Sequence, residues 1–294
     1  MVNQVAIIGG GLMGSGIAQN AAEHGNHVTI IEVSAQAAEQ SVASIKNQLQ
    51  RKVQKERISQ QEMEGTLGRV STAIGFEHIK SADIIIEAVP EKLELKQEVF
   101  RQLDVYASEN ATLASNTSGL SIAAIGSVTR RPEKVIGFHY FYPVPAMKLI
   151  EVVPSIITDQ STVEKMRGFA EGLNKRPILC QDYPGFLVNR ILIPMVNEAI
   201  YCVMEGAAAE DVDDAMKLGA NLKMGPIALA DFVGLDTLLS TMEGLYEGYS
   251  DSKYRPCPLL KKVVESGNLG LKTGRGFFQY DESGKKITKE GIIS

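Results

Sequence analysis

The stretch Val5-Ala6-Ile7-Ile8-Gly9-Gly10-Gly11-Leu12-Met13-Gly14-Ser15-Gly16-Ile17-Ala18 constrains this chain more than any other. A short β-branched run leads into Gly9-x-Gly11-x-x-Gly14, and an apolar helical pattern follows. The spacing predicts a strand, a tight turn and a helix. The three glycines serve different ends, since Gly9 makes the turn, Gly11 lets backbone approach a pyrophosphate, and Gly14 lets the helix pack closely on the sheet. The helix points its unpaired N–H groups and positive dipole end at the phosphates, so Gly9, Gly11, Leu12, Met13 and Gly14 are expected to border a dinucleotide. Three glycines at this spacing also occur in ordinary α/β turns. What favours the dinucleotide is a second strand, His27 to Ile31, ending at Glu32, about twenty residues after the loop, where an acidic side chain accepts from an adenosine ribose.

At 294 residues the chain exceeds one typical domain, so one large or two unequal domains are expected. No run approaches the roughly eighteen apolar residues of a membrane span. The sequence enters a strand almost at once, without a basic segment and cleavage site, which leads us to expect a cytoplasmic chain with no membrane partner. A formal charge of −5 carries no footprint of nucleic-acid binding. Cys180, Cys202 and Cys257 are far apart and lack the paired spacing of zinc or redox sites, so reduced thiols and no metal are expected. His24, His27, His78 and His139 are the only histidines, which leaves few candidates for a base near neutral pH.

Strand (Val2 to Ile8), helix (Met13 to His24) and strand (His27 to Ile31) form the repeating unit of a parallel sheet. Residues Ser34 to Arg69 then place Ala38, Val42, Ile45, Leu49 and Val53 three or four apart. That pattern predicts a long amphipathic helix and a shorter one, Gln60 to Leu67. Together they make a helical hairpin arm longer than a crossover needs and expected to project from the sheet. Its Lys46, Arg51, Lys52, Lys55 and Arg57 either meet an anionic ligand or form a solvated face.

Further strands are predicted over Arg69 to Ala73, Ala82 to Ala88 and Thr112 to Ser115, with a helix from Leu93 to Ala107. Asn116-Thr117-Ser118 follows a strand's carboxyl end, where open parallel sheets bind ligands. After a helix near Ser121 to Ser127, strands Lys134 to His139 and Met147 to Val153 are joined by a proline-bearing turn too short for a helical crossover, which implies an antiparallel return. A helix (Ser161 to Leu173) and a strand (Pro177 to Cys180) complete the sheet. At Asp182-Tyr183-Pro184-Gly185-Phe186 the character changes. Residues 1–183 thus read as a doubly wound, mostly parallel α/β domain of the Rossmann type and 184–294 as an all-helical domain. The helical patterns run over Leu187 to Glu205, Ala209 to Lys217, Pro226 to Asp231, Leu235 to Tyr249 and Pro258 to Ser266. The first of them is strongly apolar, as a buried or subunit-interface helix is.

Glu32 accepts from ribose hydroxyls but repels a 2′-phosphate, and Val33-Ser34 supplies no arginine, so NAD is expected over NADP. Hydride transfer from a secondary alcohol to nicotinamide needs a base for the hydroxyl proton. His139 ends a strand before a rigid turn and is the best placed histidine; His24, His27 and His78 read as surface residues. Glu151 on the returning strand is positioned either to orient His139 and balance its charge or to serve as an ordinary salt-bridged strand carboxylate.

The glycine stretch, Ser115-Asn116-Thr117-Ser118, Gly137-Phe138-His139, Met147-Lys148-Leu149-Ile150-Glu151-Val152, Pro184-Gly185-Phe186-Leu187-Val188-Asn189-Arg190, Met224-Gly225-Pro226 and Lys272-Thr273-Gly274-Arg275-Gly276-Phe277-Phe278 occur in this order over nearly the whole chain. Together they resemble the L-3-hydroxyacyl-CoA dehydrogenase family, and most of all its bacterial 3-hydroxybutyryl-CoA dehydrogenases. The resemblance implies reversible oxidation of a (3S)-3-hydroxyacyl-CoA, of short chain as in those bacterial members, to the 3-ketoacyl-CoA. It implies His139 as base, Glu151 as its partner, and Ser118 and Asn189 as hydrogen-bonding groups at the substrate oxygen, in a site between domains. Glu32, Glu91, Lys96, Ser118 and Lys272 match positions near the cofactor. The hairpin arm matches a coenzyme A contact whose lysine falls closest to Lys55-Glu56, which makes Lys52 and Lys55 the candidate contacts, and a homodimer through the C-terminal domain is implied.

Two departures from the family stand out: Tyr142 where asparagine is usual three residues after the histidine, and Gly119 where a second serine commonly follows Ser118. Two other functions fit the same motifs. One is a related dehydrogenase of sugar acids, of the gulonate type, working without coenzyme A. The other is a non-catalytic NAD-binding protein.

Overall fold

The computed structural model describes residues 4–287, and the chain divides after Asp182 into two compact units. Val2 and Asn3, expected to open the first strand, lie outside the described residues. The first unit is built on β1 (Gln4–Ile8), β2 (His27–Glu32), β3 (Val70–Ile74), β4 (Ile84–Glu87), β5 (Thr112–Ser115), β6 (Val135–Tyr140), β7 (Leu149–Pro154) and β8 (Arg176–Leu179). They form one eight-stranded sheet in the order β3-β2-β1-β4-β5-β6-β7-β8. The first six strands are parallel, β7 runs antiparallel to β6, and β8 is parallel to β7. β4 and β5 are buried along their whole length, so their sequences are continuously apolar until the last residue of β4 and between the end residues of β5.

Helices α1 (Leu12–Glu23), α2 (Ala35–Gln54), α3 (Gln60–Leu67), α4 (Leu93–Tyr106), α5 (Ile122–Gly126) and α6 (Gln160–Gly172) cover the sheet. Ser34 caps α2 by accepting the Ala37 N–H, and Ser59 and Glu62 form a reciprocal capping box at α3, so both helices begin where side chains meet their unpaired donors. The hairpin arm is docked, which corrects the expectation that it projects. Ile45 and Leu49 are fully buried and Met63 nearly so, and with α1 they join the core of Val5, Ile7, Ile17 and Val28. An apolar stripe repeating every three or four residues leaves water only by lying against other apolar surface. His78, expected in a polar helix, sits in a single tight helical turn, Phe76–Ile79, and is exposed.

The second unit contains α7 (Val188–Met204), α8 (Ala209–Gly219), α9 (Pro226–Val233), α10 (Leu235–Tyr249) and α11 (Pro258–Glu265) around Ile200, Ile227, Leu235, Met242, Cys257, Leu260 and Phe278. Its hub is Asp231, wholly buried on α9. One carboxylate oxygen accepts the Phe277 N–H at 2.8 Å; the other accepts the Phe278 N–H at 2.8 Å and the Tyr280 hydroxyl at 2.9 Å. Gly276 is required beside it, because a Cβ there would fall 1.9 Å from the Asp231 oxygen. No helix of the described residues is long and apolar enough to cross a membrane, and no cluster among them is arranged to hold a metal ion.

Candidate active site

Strand order reverses between β1 and β4, and in open α/β sheets ligands bind outside the carboxyl ends of the strands at such a point. Gly9 turns there with φ of +88°, and a Cβ on Gly14 would lie 1.8 Å from the Gly9 carbonyl oxygen, so this glycine lets α1 pack against the loop. Above Gly11 a Cβ would meet nothing within 4 Å, which leaves open space at the N-terminus of α1. Leu12 is exposed and Met13 half-buried at that end. Glu32 ends β2 with its carboxylate already aimed: one oxygen accepts the Gly10 N–H at 2.6 Å and the Ser41 hydroxyl at 3.2 Å. The open backbone donors, the glycine cradle and the held acceptor fit the pyrophosphate and ribose of NAD.

Beside it, β4 and β5 end in a polar network. Glu91 accepts at one oxygen from the Thr117 hydroxyl (2.6 Å), the Ser118 N–H (2.8 Å) and the Ser118 hydroxyl (3.1 Å), and pairs at the other with the Lys96 ammonium (3.2 Å). Burial works to raise the Glu91 carboxyl, but the Lys96 charge and the hydrogen bonds from Thr117 and Ser118 outweigh it and hold it below the usual carboxylate range. Lys96 is fully buried rather than part of an exposed helix-start pair. Its nearest carboxylate is Glu87, at 2.7 Å, which sequence reasoning missed. The available signal was an acidic residue closing an Ile-Ile-Ile strand, where burial demands a partner.

His139 and Glu151 stand directly opposite each other in the β6–β7 ladder. The His139 Nδ1 lies 2.8 Å from Glu151 Oε2, and both side chains are almost entirely buried. The Phe141 ring lies 4.5 Å from the imidazole, centroid to centroid. At the same edge, Asn116 accepts the Tyr140 N–H at 2.9 Å and ties the end of β6 to the end of β5. After β6 the chain turns through a cis Tyr142–Pro143 bond. The buried Lys175 ammonium holds this turn by donating to the Val144 and Met147 carbonyls, each at 2.6 Å, another link that sequence reasoning missed. Tyr142 is half exposed and lines a cavity of about 340 Å³ with Leu12, Gly16, Gln48, Arg51 and Val144.

The remaining expected residues are less gathered. Lys52 is paired with Glu23 of α1 at 2.5 Å, so its charge is already met, whereas Lys55 caps α2 and is exposed. In the second unit, Asn189 is half-buried in the first turn of α7, and Lys272 pairs with Asp236 at 2.5 Å.

A dinucleotide cradle whose neighbouring strands present a carboxylate-paired imidazole defines a class, the nicotinamide-dependent dehydrogenases. Comparison with known proteins narrows it. Residues 4–183 match the model of the 3-hydroxyacyl-CoA dehydrogenase NAD binding domain, and residues 185–280 match that family's C-terminal domain. A 3-hydroxybutyryl-CoA dehydrogenase of Bradyrhizobium diazoefficiens is 45% identical over 281 residues, covering 95% of this chain and 96% of its own. The human mitochondrial hydroxyacyl-coenzyme A dehydrogenase is 41% identical over 289 residues, covering 95% and 92%. The crystal structure of (S)-3-hydroxybutyryl-CoA dehydrogenase from Ralstonia eutropha superposes with a TM-score of 0.93 at 41% identity, covering 96% of this chain and all of that one. The chain belongs to the 3-hydroxyacyl-CoA dehydrogenase family, an NAD-dependent group of oxidoreductases.

Proposed function

We propose that this protein catalyses the reversible oxidation of (3S)-3-hydroxyacyl-CoA to 3-ketoacyl-CoA, with 3-hydroxybutyryl-CoA as substrate. The observation that carries the reading is the buried His139–Glu151 pair, 2.8 Å apart, at the edge of a dinucleotide-binding sheet. When bound, NAD supplies the hydride acceptor. His139 takes the hydroxyl proton in oxidation and returns it in reduction. Glu151 holds the imidazole in one orientation and balances the charge that arrives with the proton. Ser118 and Asn189 hydrogen-bond the substrate oxygen, which gathers negative charge when the ketone is reduced, and neighbouring groups; the Ser118 hydroxyl turns from Glu91 to do so while its N–H stays on that carboxylate. Gly9, Gly11, Leu12, Met13 and Gly14 border the pyrophosphate, and Glu32 accepts from the adenosine ribose. Glu91, Lys96 and Lys272 act near the cofactor.

On the arm, Lys55 is the better placed of the two lysines for coenzyme A, because Lys52 is occupied by Glu23. Residues 1–183 serve as the NAD-binding domain and 184–294 as the substrate and dimerisation domain of a cytoplasmic homodimer. Exposed Leu187 and Ile191 on α7 and its cap support an apolar association surface.

Consumption of NADH with acetoacetyl-CoA tests the reading, and turnover is expected. No turnover, or oxidation of a gulonate-type sugar acid instead, overturns it. Sedimentation at micromolar concentration is expected to give a dimer, and a monomer would overturn that part alone.

A further inference from the structure

The carboxylate of Glu87 has no role in the reaction described above, yet it is the most deeply placed charge near the site. It closes β4 with no solvent exposure. One oxygen accepts the Val89 N–H at 2.6 Å and the Lys96 ammonium at 2.7 Å, and the other accepts the Ser115 hydroxyl at 2.6 Å. Lys96 donates as well to the Val89 carbonyl at 3.2 Å and reaches Glu91 at 3.2 Å. Glu91 in turn accepts both the backbone N–H and the hydroxyl of Ser118.

An unbroken run of carboxylate, ammonium and carboxylate thus leads from the sheet interior to Ser118. Such a run is a poor way to hold a sheet together. Two charges lose their hydration, and an apolar pair of equal volume commonly gives as much stability. Its merit is geometric: each member has one arrangement that satisfies its neighbours, and the last member fixes a serine.

We propose that Glu87 is a positioning residue, which sets Lys96, through it Glu91, and through Glu91 the Ser118 turn against which the substrate oxygen docks. The proposal rests on the reading above that Ser118 contacts that oxygen. Without Glu87 the Lys96 ammonium would have only Glu91 as a carboxylate partner and would draw it inward, away from the donors of Thr117 and Ser118.

Glu87→Gln keeps the side chain's shape and removes its charge. In the ligand-free protein, amide hydrogen exchange over residues 115–120 is expected to quicken by about tenfold while α6 is unchanged, the size of one charge-assisted hydrogen bond. In turnover of acetoacetyl-CoA, kcat is expected to fall by about tenfold with KM altered less, because the interaction lost belongs to the transition state. Adding Lys96→Met to Glu87→Gln should cost no more than Lys96→Met alone, since both act through one chain of contacts.

A lower melting temperature with exchange at 115–120 and kcat at parent values overturns the proposal, as do effects of the two substitutions that simply multiply. Should Glu87→Gln not fold, Ser115→Ala removes one of the carboxylate's bonds and, with it, the bond that the Thr117 N–H donates to that hydroxyl, so exchange is then read over residues 118–120 alone. That exchange and kcat are expected to shift in the same directions, and unchanged values overturn the proposal. A parent that fails to turn over acetoacetyl-CoA defeats the functional reading, and the exchange measurement then decides the relay by itself.

Discussion

His139 is held by a partner across a ladder rather than by a neighbour in sequence, so its replacement should leave the sheet intact. His139→Gln is expected to lower kcat by about 10² to 10⁴, the contribution of a general base, with NADH affinity by fluorescence titration near the parent value. A variant that retains a tenth of the activity would mean the base is elsewhere. Tyr142 is the other residue to probe, because it lines the cavity with Leu12 and Arg51 where asparagine is usual in the family. Tyr142→Asn removes a ring from that wall and is expected to raise kcat/KM for acetoacetyl-CoA by up to about tenfold. Identical constants across short and medium acyl chains would place Tyr142 outside the working site. His139, Glu151 and Ser118 were legible because a strand's end and a turn's start are visible in one dimension. Glu87 and Lys175 were not, since their meaning lies in partners 28 residues away for Ser115 and 28 to 31 away for the turn carbonyls.

At the level of elements, periodicity located the strands and helices to within a few residues, because most bury one face or both. It did not show that the arm is docked, which depends on Ile45 and Leu49 finding α1 and the sheet rather than on their spacing. The glycine turn separates two requirements that the motif merges. Gly14→Ala forces a Cβ to within 1.8 Å of the Gly9 carbonyl, so α1 must shift, at about 1–3 kcal/mol. Both melting temperature and NADH affinity are expected to fall. Gly11→Ala meets no atom within 4 Å, so its melting temperature is expected to stay at the parent value while NADH affinity drops. Equal losses of stability in the two variants would show that the turn, rather than access to the ligand, is what Gly11 serves.

Over the whole molecule, particular carboxylates of the two units respond to acid in opposite senses. In the first, burial is outweighed at Asp104 by hydrogen bonds from Arg130 and Arg131, and at Asp159 by those from Lys134, Thr162 and Ser161; both stay below the usual carboxylate range, as does Glu91. Their contribution to stability is present above the ordinary carboxylate pKa of about 4 and is lost as pH falls through the depressed values. In the second, burial pushes Asp231 up to about 6 despite the Phe278 and Phe277 amides and the Tyr280 hydroxyl. Its contribution is complete below about 4 and is lost as pH rises through 6, about 3 kcal/mol on full ionisation. Amide exchange, corrected for intrinsic rate, is therefore expected to show more protection in α9 and residues 276–280 at pH 5 than at pH 7, while α4 and α6 lose protection only below pH 4. Weaker protection of α9 at pH 5 would refute the assignment to Asp231.

The last side chain of the first unit, Asp182, accepts the N–H groups of Ile122 and Ala123 and so closes the start of α5. Every strand of the sheet and this final clasp are thus encoded before the junction, ahead of Tyr183-Pro184-Gly185. A ribosome has supplied all that this sheet pairs with before the second unit is translated. A gene cut or joined just beyond codon 182 carries the cofactor-binding sheet whole, whereas a cut even two codons earlier strips α5 of its clasp.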